Sequence, residues 1–329
     1  MINILIKDAR MLVERCMRKV GYEQADAALI TDHLIDAELR GQGYAGLERA
    51  FSVIEKVRNS SLPTTPISIT HETPISALID GGGNVGYLVG HRATSIAIEK
   101  AKIHGIGITG VSNTWYTGML AYYMEMATTQ NFVSIAAGSS AWRVAPHGSN
   151  EARHGTNPLA FGFPSLGDPV ILDFAVSALM VSEATQRMRN GEFLPNGLAF
   201  DKNGTPTIDP SEALAGAFSV WGGPKGSGLG LCIQLFGLLC KGGVIPNAFS
   251  DCSLFTIVMQ PDLLISSEQL KKQVSEYAEI VRKSTAFDPN VSVRMPFDRS
   301  AKQRKENLQR GWIKVPRILH SDLLTYAEK

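Results

Sequence analysis

Apolar residues recur at three- and four-residue steps through the start of the chain. Leu5, Ala9, Leu12, Val13, Cys16 and Val20 fall on one face of a helix. "ADAALITDHLIDAELRG" keeps that spacing up to Gly41, and "GLERAFSVIEKVRNS" supports a third helix. "SLPTTP" (61–66) then punctuates the chain. From about residue 67 the pattern changes. The short β-rich runs "ISALID", "IGITGV" and "FVSIAAG" are joined by the helical stretch "GYLVGHRATSIAIEKAKIHG" and followed by "PVILDFA" and "LFTIVMQ", which read as buried strands. Helix returns after Ser266, where Ser266 and Gln269 have capping-box spacing ahead of "LKKQVSEYAEIVRKS". No internal repeat or low-complexity segment stands out. The expected fold class is α/β: a central domain over 67–265 and a helical domain made from both chain ends, 1–66 plus 266–329.

Length, charge and cysteines narrow the function classes. The 329 residues suffice for one large domain or two ordinary ones. With 44% hydrophobic and 19% charged residues, the composition is that of a globular protein. A formal net charge of +1 argues against the basic stripe that nucleic acid or an anionic membrane calls for. "MINILIKDARMLVERC" carries charges through its first turns and does not read as a signal peptide. The longest apolar stretch, 229–240, contains Gln234 and is too short to span a bilayer. Cys16, Cys232, Cys240 and Cys252 form no CxxC pair and read as reduced core thiols of a cytoplasmic protein.

Three glycine-rich stretches compete as phosphate cradles. "WGGPKGSGLGL" (221–231) puts glycines and Lys225 ahead of an apolar run, yet fits neither the Walker loop nor the dinucleotide fingerprint. Gly105, Gly107 and Gly110 match GxGxxG in reversed context: they follow a helix and open a strand, as a glycine C-cap does. Gly81, Gly83 and Gly86 match it in the correct context, after a strand and before a helix. The strand that follows ends without the ribose-binding acid, so a dinucleotide site and a tight turn both remain open. No HxxxH, HExxH or GxSxG occurs, so no metal site and no serine nucleophile elbow is expected. "VAPHGSNEARHGTNPLAFGFP" concentrates polar groups ahead of an apolar strand, either as part of a site or as a solvated loop. Asp173 sits inside the apolar "VILDFAVSA". It is either a buried, paired carboxylate or the N-cap of a following helix.

With "GTNPLAF" (155–161), "ILDFA" (171–175), "DKNGTPTIDP" (201–210) and "GPKGSGL" (223–229) in view, the chain resembles the second family of malate/L-lactate dehydrogenases over nearly its whole length. That family includes ureidoglycolate dehydrogenase, diketogulonate reductase, sulfolactate dehydrogenase and the cyclic ketimine reductases. The resemblance implies a non-Rossmann fold with a central mixed-sheet cofactor domain, and a homodimer with its active site near the subunit contact. It implies hydride transfer between NAD or NADP and a 2-oxo acid or cyclic 2-imino acid. It further implies that Lys225 and Gly226 contact the cofactor, that Asp173, Ala175 and Ser177 run along it, and that Ser140 lies near the nicotinamide end. Asp298 belongs to another cofactor segment, "FDR", and Thr156 and Asn157 to the substrate side. The glycines at 81–86 then become a turn before a helix.

The resemblance breaks at one place. The family's Ser-His-Gly motif, followed three residues later by Arg, aligns with "RGQGYAGLER". Gly41, Gly46 and Arg49 match, but Tyr44 and Ala45 occupy the serine and histidine positions. A second family histidine falls at Tyr116. Arg49 still suits a carboxylate clamp. Tyr44, Tyr116 and His147 become the candidate proton donors, a phenol being protonated at neutral pH. A cyclic imine already protonated at nitrogen needs less help from an enzyme acid than a ketone does, which directs the reading toward imines or an unusual substrate. The alternatives are a family member repurposed for another reaction on a carboxylate, and a catalytically silent cofactor-binding protein.

Overall fold

The computed structural model describes residues 1–60, 64–246 and 251–328; the first half of the "SLPTTP" punctuation lies outside them. The chain opens with β1 (Ile2–Leu5), α1 (Ile6–Lys19), α2 (Gln24–Leu39), a 3-10 turn at Gly43–Ala45 and α3 (Leu47–Arg58). Next come β2 (Ser68–Glu72), β3 (Ser76–Asp80), α4 (Gly86–His104), β4 (Ile106–Thr114), α5 (Leu120–Thr128) and β5 (Val133–Ser139). Then follow β6 (Val144–Ala145), β7 (Pro158–Phe163), β8 (Val170–Ala175), α6 (Val181–Asn190), β9 (Ala199–Phe200), α7 (Pro210–Ala215) and β10 (Ala217–Ser219). The last are α8 (Gly223–Leu239), β11 (Cys252–Met259), α9 (Ser267–Arg282), α10 (Asp298–Arg310), β12 (Trp312–Val315) and α11 (Arg317–Glu328). The chain divides into two compact units: residues 1–63, 163–171 and 264–329 form one, and residues 64–162 and 172–263 the other.

In the first unit α1 buries Ala9, Leu12, Val13, Cys16 and Met17, the face its periodicity requires. Leu5 does not belong to that face. It ends β1, which pairs antiparallel with β12 from Ile2↔Val315 to Leu5↔Trp312. From Ile30 onward α2 is buried nearly all round, and an ion pair lies at its end: Arg40 Nε lies 2.6 Å from Asp36 Oδ2, and Arg304 of α10 approaches the other oxygen at 2.8 Å. A buried carboxylate needs such partners to remain charged. Ser266 caps α9 by accepting from the Gln269 amide, as its spacing predicts.

The second unit is built on a mixed sheet in the order β2-β3-β4-β11-β5-β7-β8. β3 and β4 run parallel and are joined through α4; β11 pairs antiparallel with both β4 and β5. Ala97, Ile98 and Ala101 of α4 pack with Ala127, Phe132 and Val258 to fill one part of its core. Ala137, Leu159, Val176 and Ile233 form another, beneath α8. Gly105 ends α4 at φ +81° and donates to the Ala101 carbonyl, while a side chain at Gly107 would collide with the Ala97 carbonyl. The glycines at 105–110 therefore serve a C-cap and a close helix–strand contact. "DKNGTPTIDP" is likewise structural: Asp201 accepts from Asn203 and Thr205 in a turn, and Asp209 caps α7. All four cysteines are free; Cys16, Cys240 and Cys252 are buried, whereas Cys232 is exposed rather than a core thiol. Among the described residues no helix is long and apolar enough to cross a membrane.

Candidate functional site

The lysine–glycine loop is the start of α8. Gly222 and Gly223 turn the chain with φ of +70° and +58°, and Pro224 sits in the first turn, where its missing N–H costs nothing. Gly226 must be glycine, because a Cβ there would run into the Trp221 carbonyl. Among the described residues the amides of Gly222, Gly223 and Lys225 enter no hydrogen bond, and the exposed Lys225 ammonium has no partner. An uncapped helix start, an exposed cation and glycines without side-chain bulk are the ingredients of an anion seat.

The strand run after Asp173 brings other expected residues to this loop. Val176 donates to the Thr156 carbonyl at 3.0 Å and accepts from Trp221 at 2.7 Å, so the segments around 156, 175–177 and 221–226 lie side by side. Ser177, buried, pairs across an isolated bridge with Val220, and its hydroxyl donates to the Leu179 carbonyl. Ala175 is half-buried. The exposed Trp221 ring meets Phe174 edge-on at 5.8 Å. His147 is exposed beside the same helix start. Its backbone amide donates to Ser227 Oγ at 3.0 Å, and its Nδ1 lies 4.0 Å from where a Cβ on Gly223 would stand.

Behind the loop lies a polar nest. Asn157, at φ +42° and fully buried, donates through Nδ2 to the Gly230 carbonyl (2.8 Å) and to Gln234 Oε1 (3.1 Å). Ser140 flanks Gly155, whose Cβ position it would contest together with Asn157 Oδ1. His154, also fully buried, donates from Nδ1 to the Gly155 carbonyl and packs against Gly230. Burial pushes its imidazole pKa down, and the carbonyl bond offsets only part of this, so it stays neutral. These groups clamp α8 behind its first turns. Gln234, the one amide in the apolar helix, is the signal in the sequence that could have found the nest.

Asp173 is the buried, hydrogen-bonded carboxylate and not the cap of a helix that follows it. Its Oδ2 accepts from the Ala121 amide at 2.8 Å, so it caps α5, which begins more than fifty residues earlier. Burial raises its carboxyl to about 6 against the pull of the Ala121 and Leu120 amides. Tyr116, just ahead of α5, sits at φ +52°, half-buried, with its ring edge-on to Trp115 at 5.3 Å.

The stretch 81–86 is arranged quite differently. Its amides are already bonded: Gly81 to the Ser112 carbonyl, Gly82 to Asp80 Oδ1, Gly83 to the Asn113 carbonyl, Asn84 to Gly81 and Gly86 to Trp115. The loop is a turn pinned to the end of β4, with the amides of all its glycines turned to partners within the protein.

In the first unit, Tyr44, Ala45 and Arg49 are all half-buried around the 3-10 turn and the start of α3. Glu38, at the end of α2, was not among the expected residues. Its Oε2 accepts from the Leu47 amide at 3.0 Å. Asp298 opens α10 with its carboxylate occupied by Arg282 (2.8 and 2.9 Å) and the Met295 amide, and the Arg282 guanidinium holds its pKa down. Among the described residues no three His, Cys, Asp or Glu side chains gather as a metal centre.

Comparison with known proteins gives the same direction at every level. The sequence profile of the family described as malate/L-lactate dehydrogenase matches residues 4–324. A malate/(S)-sulfolactate dehydrogenase of Methanothermus fervidus is 31% identical over 93% of this chain and 91% of its own length. A Δ1-pyrroline-2-carboxylate/Δ1-piperideine-2-carboxylate reductase of Pseudomonas aeruginosa is 28% identical over both full lengths. The crystal structure of a dehydrogenase from Sinorhizobium meliloti superimposes with a TM-score of 0.91 at 28% identity, covering 99% of this chain and 98% of the other.

Proposed function

Because the chain belongs to the malate/L-lactate dehydrogenase family, an oxidoreductase family, we propose that it is an NAD(P)H-dependent reductase of 2-oxo or cyclic 2-imino acids. The observation that carries this reading is the start of α8, where amides and a Lys225 ammonium without partners among the described residues fit a dinucleotide phosphate. The bound nicotinamide supplies the hydride. The cofactor seat is non-Rossmann: Lys225 and Gly226 hold the phosphate or ribose, with Asp173, Ala175, Ser177 and Ser140 along the dinucleotide. Asp298 adds a further segment through backbone rather than carboxylate, since the carboxylate is bonded to Arg282.

Arg49 clamps the substrate carboxylate and Thr156 lies on the substrate side; Asn157, fully buried and bonded to Gly230 and Gln234, supports that side from behind rather than lining it. Tyr44 is the first candidate to donate the proton, then Tyr116 and His147. The absence of an imidazole at Ala45 suits a protonated cyclic imine, which asks least of the enzyme. The helical domain from both chain ends, 1–66 and 266–329, carries Tyr44, Arg49 and Asp298. Pairing of two copies is supported by the apolar face of α8, where Leu231, Leu235, Leu238 and Leu239 are exposed. Four unpaired thiols favour the cytoplasm.

The test is a screen of NADH and NADPH oxidation with pyruvate, malate's oxo acid, Δ1-pyrroline-2-carboxylate and Δ1-piperideine-2-carboxylate. Turnover best with a cyclic imine supports the reading. Cofactor binding without turnover on any of these would favour the repurposed alternative, and no cofactor binding the silent one.

A further inference from the structure

We infer that Glu38 is a positioning residue for the Arg49 loop: its carboxylate caps α3 from the end of α2, and proton uptake there loosens the loop and weakens binding of a carboxylate substrate. The inference rests on the reading of Arg49 as the clamp. The residue at the N-cap of α3 is Gly46, which has no side chain to cap with. Glu38 supplies the missing acceptor, taking the amide of Leu47, the first residue of the helix, at 3.0 Å.

The fit around the carboxyl is close. A Cβ on Gly46 would collide with Glu38 Oε2 and stand 3.1 Å from the Glu38 backbone nitrogen, and one on Gly43 would stand 3.4 Å from Oε1. The two oxygens thus fill the space beneath both glycines that flank Tyr44 and Ala45. Leu47 lies three residues after Tyr44 and two before Arg49, so the bond at Leu47 fixes where both side chains start.

A charged acceptor at a helix start gains from the aligned peptide dipoles and makes a stronger bond than a neutral one. A protonated carboxyl keeps the shape and loses that gain. Burial raises Glu38 to about 7, the Leu47 amide pulls it back and Glu48 of α3 pushes it further up. The other charges nearest along α2, Asp36 and Arg40, are paired with each other, and Arg304 of α10 is paired with Asp36. The carboxyl therefore changes charge within the neutral range.

The test needs two readings on the full-length protein. In 15N-leucine-labelled wild type, the Leu47 amide resonance should titrate with a midpoint near pH 7, and in Glu38→Gln it should not. KM for the better of pyruvate and Δ1-pyrroline-2-carboxylate should rise about fivefold from about pH 8 to about pH 6 in wild type, as a charged bond becomes a neutral one. In Glu38→Gln that excess rise should vanish. A Leu47 resonance that ignores pH in wild type, or an identical KM rise in Glu38→Gln, overturns the inference. Failure of the clamp itself reads out separately, as wild-type KM in Arg49→Ala at about pH 8 with the Leu47 titration intact.

Discussion

Two glycine loops of the second unit, 81–86 and 221–227, stand at helix starts and look alike on paper, yet their glycine amides are spent differently. The loop at 81–86 has the better fingerprint, GxGxxG after a strand and before α4. The amides of its glycines are bonded to the end of β4 and to Asp80, and that of Asn84 to Gly81. The loop at 221–227 fits no template and leaves three amides and an ammonium without partners among the described residues. A third helix start, that of α5, shows an intermediate case in which a strand carboxylate, Asp173, takes the amides from within the protein. Glycine spacing permits a cradle; the fate of the N–H groups decides whether it is one.

The largest effect should come from closing the open loop. Gly226→Ala forces a Cβ into the Trp221 carbonyl, so the turn must rearrange. NAD(P)H affinity should fall by about a hundredfold or more, the worth of losing a charged bond together with its amides. Equilibrium titration checks this, with far-UV dichroism to confirm folding. In the closed loop the matching change is Gly83→Ala. Its Cβ would meet open space, but at φ +72° an L-residue is strained. It should cost about 1–2 kcal/mol of stability in a denaturant melt and leave cofactor affinity unchanged. Reduced affinity with intact stability in this variant would break the contrast between the loops.

The capped helix start should respond more weakly. Asp173→Ala removes the α5 cap and should cost about 1 kcal/mol of stability. The pH dependence has a definite sign. The Asp173 carboxyl is raised to about 6 in the folded chain from 3.8, so between those values the folded state holds more protons than the unfolded one. Its contribution to stability is present at low pH and lost as pH rises through about 6. Asp173→Asn keeps an acceptor and cannot titrate. Its stability relative to wild type should therefore improve as pH rises from about 4 to about 6.5, by denaturant melts across that range.

Much of this was legible in the chain. The periodicity of "GYLVGHRATSIAIEKAKIHG" marks α4 to within a residue, because a long helix ending at a glycine leaves little choice. The cap at Ser266 follows from local chemistry alone. β1 gives no strand signal, and Leu5 fits the helical face of α1, because four residues carry too little pattern and the partner β12 lies some three hundred residues away. Asp173 stood out as a carboxylate in an apolar strand, but its partner helix could not be read from spacing. Glu38 gave no signal, since an acid near a helix end is usually solvated. Its environment comes from the close approach of Gly46, a tertiary fact. Lys225 stood out by residue type, and what the sequence could not display was that the amides beside it are unbonded.

The measurement that bears most directly on the account is the affinity of NADH and NADPH for wild type and Lys225→Ala, followed by quenching of tryptophan fluorescence, Trp221 being adjacent to the loop. The account predicts saturable binding in wild type and a loss of about 1.5–3 kcal/mol in the variant, roughly ten- to a hundredfold in Kd, with the melting transition unchanged. Equal affinity in the two proteins would contradict it, and would move the cofactor away from the start of α8.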